Sequence, residues 1–328
     1  MENLKVDLNL GKADLDLDMD KELFTPLSEE EKNFEQIVRP SVGYWADAWR
    51  RLKSNKVSLV SLIIIILVVV FAFLGPILMY KTMGYTYDAT NLSATNLKPS
   101  AEHWFGTDNL GRDLFVRVMY GSRYSLTIAV SAAVINLIIG VLYGSIAGFF
   151  GGRVDNAMMR IVDVLYAIPT QIYVIILMAT FKRENSSGLL TIILAMAISY
   201  WVGMARIVRG DILQLKQQEF VLAAKALGAS KTRILFRHLI PNCMGSILVT
   251  LTLFVPQAIF TEAFLSFIGL GINAPLASLG TLANDASGLL STAAYQLIFP
   301  AIAICIIILS FNLFGDGLTE ALDPKNKR

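Results

Sequence analysis

Six long apolar stretches constrain this chain more than any other feature. Residues 57–79 run 23 positions without a charge, residues 124–150 run 27, and residues 164–181 and 188–205 run 18 each. Residues 239–261 follow His238, uncharged up to Glu262, and residues 286–315 are uncharged throughout. About 20 apolar residues cross a bilayer as an α-helix. The runs are continuous rather than alternating, which predicts helices and not a barrel. The fold class expected is an all-α integral membrane protein with six transmembrane helices.

Composition agrees. The chain is 55% hydrophobic and 16% charged, with a mean hydropathy of +0.57, whereas a soluble domain carries about 25% charge. This argues against a soluble enzyme. Of the 54 charged residues, 21 stand in the first 56 positions. No basic patch points to nucleic acid. Cys243 and Cys305 lie in apolar surroundings, and His103 and His238 are far from any Cys/His cluster. That pattern gives neither a disulfide framework nor a metal site.

Residues 1–40 read as an acidic, disordered cytoplasmic tail. Asp14, Asp16, Asp18 and Asp20 have a calcium-loop rhythm, but the loop's glycine and closing glutamate are missing. Residues 41–80 read as an interfacial helix and the first span, with Trp45, Trp49, Arg50, Arg51, Lys53 and Lys56 at the membrane surface. Residues 81–123 form an extracytoplasmic loop. Residues 124–318 hold the other five spans and a connecting loop at 219–238, and residues 319–328 are the C-terminus. Arg50 to Lys56, the basic fourth connection (Arg206, Arg209, Lys216, Lys225, Lys231, Arg233, Arg237) and Lys325, Lys327 and Arg328 place both termini in the cytoplasm. Lys81, Lys98, Arg112, Arg117 and Arg123, and Lys182 and Arg183 further on, strain that rule.

Gly140, Gly144 and Gly148 repeat every four residues, either as a close-packing helix face or as simple tolerance of glycine in a membrane helix. In 103–126, Asp108 and Asn109 favour an Asx-type turn, and Gly106 and Gly111 relieve backbone strain. Asp113, Arg117 and Tyr120 then share a helical face. A catalytic role for His103, Asp108 and Asp113 lacks a nucleophile. Among polar residues in or near spans, Glu262 is the leading candidate to face a pathway, with Asn136 and Asn312 beside it. Asn273 adds a polar group outside them. Asp163 stands three residues after Arg160, a spacing that allows an ion pair.

Residues 219–242, EFVLAAKALGASKTRILFRHLIPN, carry the most information. Phe220, Ala223, Ala224 and Leu227 recur at helical spacing. Gly228 can end that helix in a left-handed cap, and Ser230 can begin the next. Ile234, Leu235 and Leu239 continue an apolar face, and Pro241 leads into a span. Two short helices joined by a sharp turn are expected across the cytoplasmic surface.

This segment resembles the EAA loop of ABC-transporter permeases, with Glu219, Ala223, Ala224, Leu227, Gly228, Ala229 and Pro241 in the matching places. The runs 103–126, 160–169, 265–271 and 314–324 are similar to C-type permeases of oligopeptide and dipeptide importers. The single Pro275, and Leu279-Gly280 in place of Trp-Gly, depart from that branch. The resemblance implies a type I importer permease, multi-pass in the bacterial cytoplasmic membrane, with a coupling helix that docks on an ATPase. It implies no catalytic residue and no cofactor in this chain, with ATP and Mg used by two ABC ATPase subunits. A B-type second permease, an extracytoplasmic peptide-binding protein and membrane lipid are the further partners implied, and nucleic acid is not. A nickel chelate or glutathione is the substrate of sister branches. Gly11-Lys12 is followed by Ala13 and no phosphate-binding loop is present. A secondary transporter would be expected to show internal repeats. A membrane enzyme would need an acid-base or metal constellation.

Overall fold

A helical break where apolar runs continue, and helical continuity where charges interrupt, shape the fold. The computed structural model describes residues 43–181 and 188–322. The acidic tail, Lys182, Arg183 and the basic C-terminal residues lie outside them. Helix α1, Tyr44–Ser54, is amphipathic, with Asp47 accepting from Arg50 and Arg51. Asn55 caps α2, Lys56–Phe73, accepting from the Val57 and Ser58 N–H groups. The first apolar run then divides. Gly75 and Pro76 open α3, Gly75–Met83, which ends at the left-handed Gly84.

The second span starts earlier than its apolar run. Asp113 caps α4, Leu114–Phe150, by accepting from the Val116 N–H at 2.9 Å. Arg123, which bounds the uncharged run, and Arg117 before it both sit on this helix. Arg117 is neutralised by Asp108, and Arg123 lies over the Phe73 ring. The third expected span, 164–181, is not one straight helix. Chain direction turns by 85° between α5, Gly152–Ala167, and α6, Thr170–Phe181. Ile168 is extended, as a residue before proline prefers.

Helix α7, Leu189–Leu215, runs ten residues past the expected 188–205. Arg206 and Arg209 therefore belong to a helix and not to a loop. Arg209 forks onto Asp155 at 2.5 and 2.7 Å, and Lys216 donates to the Gly148 carbonyl at 2.8 Å. Asp163 pairs with Arg206 at 2.7 Å and not with Arg160. Helix α8 is Glu219–Ala226 and α9 is Met244–Leu265, with short helical turns between them. The final apolar run is also divided: α10, Leu279–Ser287, opens on a Ser278–Thr281 capping box, and α11 is Tyr295–Leu322. Among the described residues five helices are long and apolar enough to cross a membrane, and the bent α5–α6 pair would be a sixth.

Residues 47–322 form one unit, and 43–46 stand in the unit before it. Its most extensive contact joins α4 and α7. Gly140, Gly144 and Gly148 lie on that seam. A Cβ at Gly140 would stand 2.5 Å from Met204 Cβ, one at Gly144 would strike the Ala205 carbonyl, and one at Gly148 would be 2.9 Å from the Arg209 oxygen. Helix α11 packs on α9 and α2. The main core includes Ile128, Ala132, Met196, Ile259 and Leu265. A second core gathers Met204, Val208 and Ile212 of α7 with Val221, Ile234, Leu235, Leu239 and Ile247.

Candidate functional site

That second core positions the 219–242 segment. Val221 is the buried residue of α8, and Ala224 packs beside it. Of the apolar set expected at helical spacing, Phe220, Ala223 and Leu227 point the other way and are exposed, and only Ala224 turns toward the core. Leu227 is 88% exposed, with Leu222 and Phe236 also outward. Glu219 and Pro241 are exposed too, and Ala229 is half-buried. Gly228 takes φ +78°. The Ala229 N–H donates to the Ala224 carbonyl and the Gly228 N–H to the Lys225 carbonyl, both at 3.0 Å. This pair is a Schellman cap, which needs a left-handed residue at the Gly228 position. Ser230 then caps the next turn by accepting from the Arg233 N–H. Ile234–Leu239 is wound as a π-helix, with Ile234, Leu235 and Leu239 buried. The segment is thus fixed to α7 and α9 on one side and offers an apolar ridge on the other.

The opposite end carries a polar cluster. Asp108 Oδ1 accepts from the Leu110 and Arg112 N–H groups at 2.9 Å, closing the Asx turn expected there. Gly106 and Gly111 are both left-handed. Asp108 Oδ2 accepts from Arg112 Nε at 2.7 Å and Arg117 at 2.6 Å. Sequence reasoning placed Asp108 in a turn but missed that it holds two cations. The alternating acids and bases of 108–113 were the available signal. The pairing gives the buried Arg112 and Arg117 side chains a common counter-charge. His103 Nδ1 lies 2.8 Å from Asp113 Oδ2, and its ring stacks on Tyr85. Asp285, at the rim of this cluster, has its carboxyl pushed up from the ordinary value by desolvation, which Arg112 opposes and Asp108 reinforces.

The expected pathway residues lie inside the chain. Glu262 is 0% exposed. It accepts from Ser125 Oγ and Ser266 Oγ, each at 2.7 Å, and Ser125 Oγ accepts from the Leu279 N–H at 3.2 Å. In this conformation Glu262 therefore ties α4 and α9 to the start of α10 and faces no open path. Asn136 is buried with its Oδ1 unpartnered, and Asn312 is half-buried. Among the described residues no group of acids, histidines and cysteines could hold a metal.

Long apolar helices and one apolar-ridged segment packed on two of them define the class as a multi-pass helical membrane protein. Residues 140–328 match the family of binding-protein-dependent transport system inner membrane components, and residues 43–99 match the N-terminal membrane domain of oligopeptide transport permease C. The chain is 52% identical to the oligopeptide transport system permease protein OppC of Bacillus subtilis (strain 168), over 94% of this chain and 98% of that one. It is 49% identical to the dipeptide permease DppC of the same organism, over 94% of each. A solved structure of the MetNI methionine ABC transporter shares the fold at a TM-score of 0.52 and 17% identity, covering 63% of this chain and 96% of that one. The chain belongs to the family of ABC-importer permeases, multi-pass membrane subunits whose ATPase is a separate protein.

Proposed function

We propose that this chain is the C-type permease of an ATP-driven peptide importer and forms half of the translocation pathway. The observation that carries this reading is the exposed Phe220–Leu227 ridge, fixed through Val221 and Leu239 to two long helices. A partner seated on that ridge moves α7 and α9 with it, because close-packed helices shift as bodies rather than deform. Two ATPases, a B-type permease and an extracytoplasmic peptide-binding protein complete the system. Both termini are cytoplasmic, in a bacterial cell membrane, so α8 faces the ATPases. The 98% coverage of a permease named for oligopeptides supports peptides as the substrate. Glutathione is the second reading, since a glutathione permease of Pectobacterium atrosepticum is 37% identical over 86% of this chain and 92% of that one. Growth of an amino-acid auxotroph on a tri- to pentapeptide tests the assignment. Deleting this chain abolishes that growth and leaves growth on glutathione intact; the reverse pattern assigns the glutathione branch.

A further inference from the structure

A cavity of about 380 Å³ opens between the start of α4 and the 266–285 stretch. Arg112, Arg117 and Asp285 line it together with Asn109, Asn273 and Asn284. Its chemistry is unbalanced. Two guanidinium groups converge on a single oxygen, Asp108 Oδ2. The other oxygen of Asp108 is already taken by two backbone N–H groups. Each guanidinium carries five N–H donors. Arg117 is 3% exposed, yet its Nε has no hydrogen-bond partner. Its second terminal nitrogen stands 3.9 Å from Asp285, beyond hydrogen-bond range, and the Asp285 side chain is 55% exposed. Arg112 and Arg117 are held closely by Asp108 alone and only loosely by Asp285, which leaves weakly paired positive charge and unused N–H groups beside the cavity. An acceptor-rich anion answers both deficits, and a planar carboxylate matches the guanidinium fork.

We propose that this cavity is an extracytoplasmic subsite for the C-terminal carboxylate of a peptide in transit, held by Arg112 and Arg117. The proposal rests on the peptide reading and on the orientation given above. Asp285 is the weakly held anion that the ligand displaces. The Asn109 and Asn284 amides meet the peptide backbone, which every peptide shares. The volume is near the lower end for small-molecule pockets. It admits a terminal residue and not a long chain, so the subsite reads the peptide's end and leaves its side chains unselected.

The test uses the complete transporter in liposomes with its binding protein, and compares tetra-alanine with its C-terminal amide. The readout is the acid-to-amide ratio of kcat/KM relative to wild type, in which the binding protein's own preference cancels. Arg112→Gln lowers the ratio about fivefold, the scale of one lost charge-assisted hydrogen bond that is partly replaced by water. Asp285→Asn raises it, because the competing anion is gone. A purely structural role would depress uptake of both peptides alike. An unchanged ratio in Arg112→Gln overturns the subsite. If that variant does not assemble, Asp285→Asn decides, and a ratio that stays level or falls overturns it equally. Weakened docking of the substrate-free binding protein, with no change in ratio, assigns the cavity to docking and refutes a transit site. A wild-type complex that carries neither peptide fails the peptide assignment itself, a separate result.

Discussion

Gly144→Ala probes the seam between α4 and α7. The new Cβ would strike the Ala205 carbonyl and stand 3.0 Å from Ala205 Cα, where ordinary contact needs 3.4–4 Å. The obstacle is backbone, which no side-chain rotation removes, so the two helices must separate. Overpacking of this kind costs about 1–3 kcal/mol, and the better helix propensity of alanine returns up to about 1 kcal/mol. Measured against a control that gains the same propensity, the loss is the full packing cost of about 1–3 kcal/mol, at roughly 2–4 °C in melting temperature per kcal/mol on the scale of soluble domains. Gly203→Ala is the control. Gly203 lies on α7, and a Cβ there meets nothing within 4 Å, so that variant melts at or slightly above wild type. Cys243 is buried and Cys305 is exposed. In a Cys305→Ala background, reaction of Cys243 with a thiol dye during heating therefore reports unfolding in detergent. A Gly144→Ala protein that melts with the control refutes close glycine packing as the basis of this seam.

A Cβ at Gly228 meets no atom within 4 Å, but Gly228→Leu must adopt φ +78°. The left-handed conformation costs a β-carbon residue about 1–2 kcal/mol, so the turn rearranges, and uptake per ATP hydrolysed by the assembled complex falls well below wild type. Normal coupling in that variant refutes the role assigned to the turn. Glu262→Ala removes the acceptor shared by Ser125 and Ser266. It also leaves a cavity, and together these cost about 2–4 kcal/mol in the same melting assay; Glu262→Gln loses less, and equal losses would show that acceptance from the serines is not the source. With Cys243 and Cys305 removed, a cysteine at Ser230 is shielded from an impermeant thiol reagent in intact cells while one at Lys98 reacts. Labelling at Ser230 reverses the orientation.

Local chemistry was enough to place the helical membrane class, the left-handed turn at Gly228, the cap at Ser230 and the Asx turn at Asp108. Each depends on a residue type and its near neighbours: an apolar run, a missing β-carbon, a short side-chain oxygen. The tertiary structure decided which surfaces those elements present. Periodicity alone marked Phe220, Ala223 and Leu227 as an apolar face, but only packing against α7 showed that Val221 turns inward and the others outward. Helices run past the ends of the apolar stretches where a charge finds a distant partner. Arg117 continues a helix because Asp108, nine residues earlier, neutralises it, and Arg209 does so because of Asp155. Glu262 reads in sequence as a charge seeking water, yet Ser125 and Ser266 satisfy it inside the bundle. A sequence shows which groups must be satisfied. Which partner satisfies them, at a separation of 137 positions for Glu262 and Ser125, depends on helices that meet only in the folded chain.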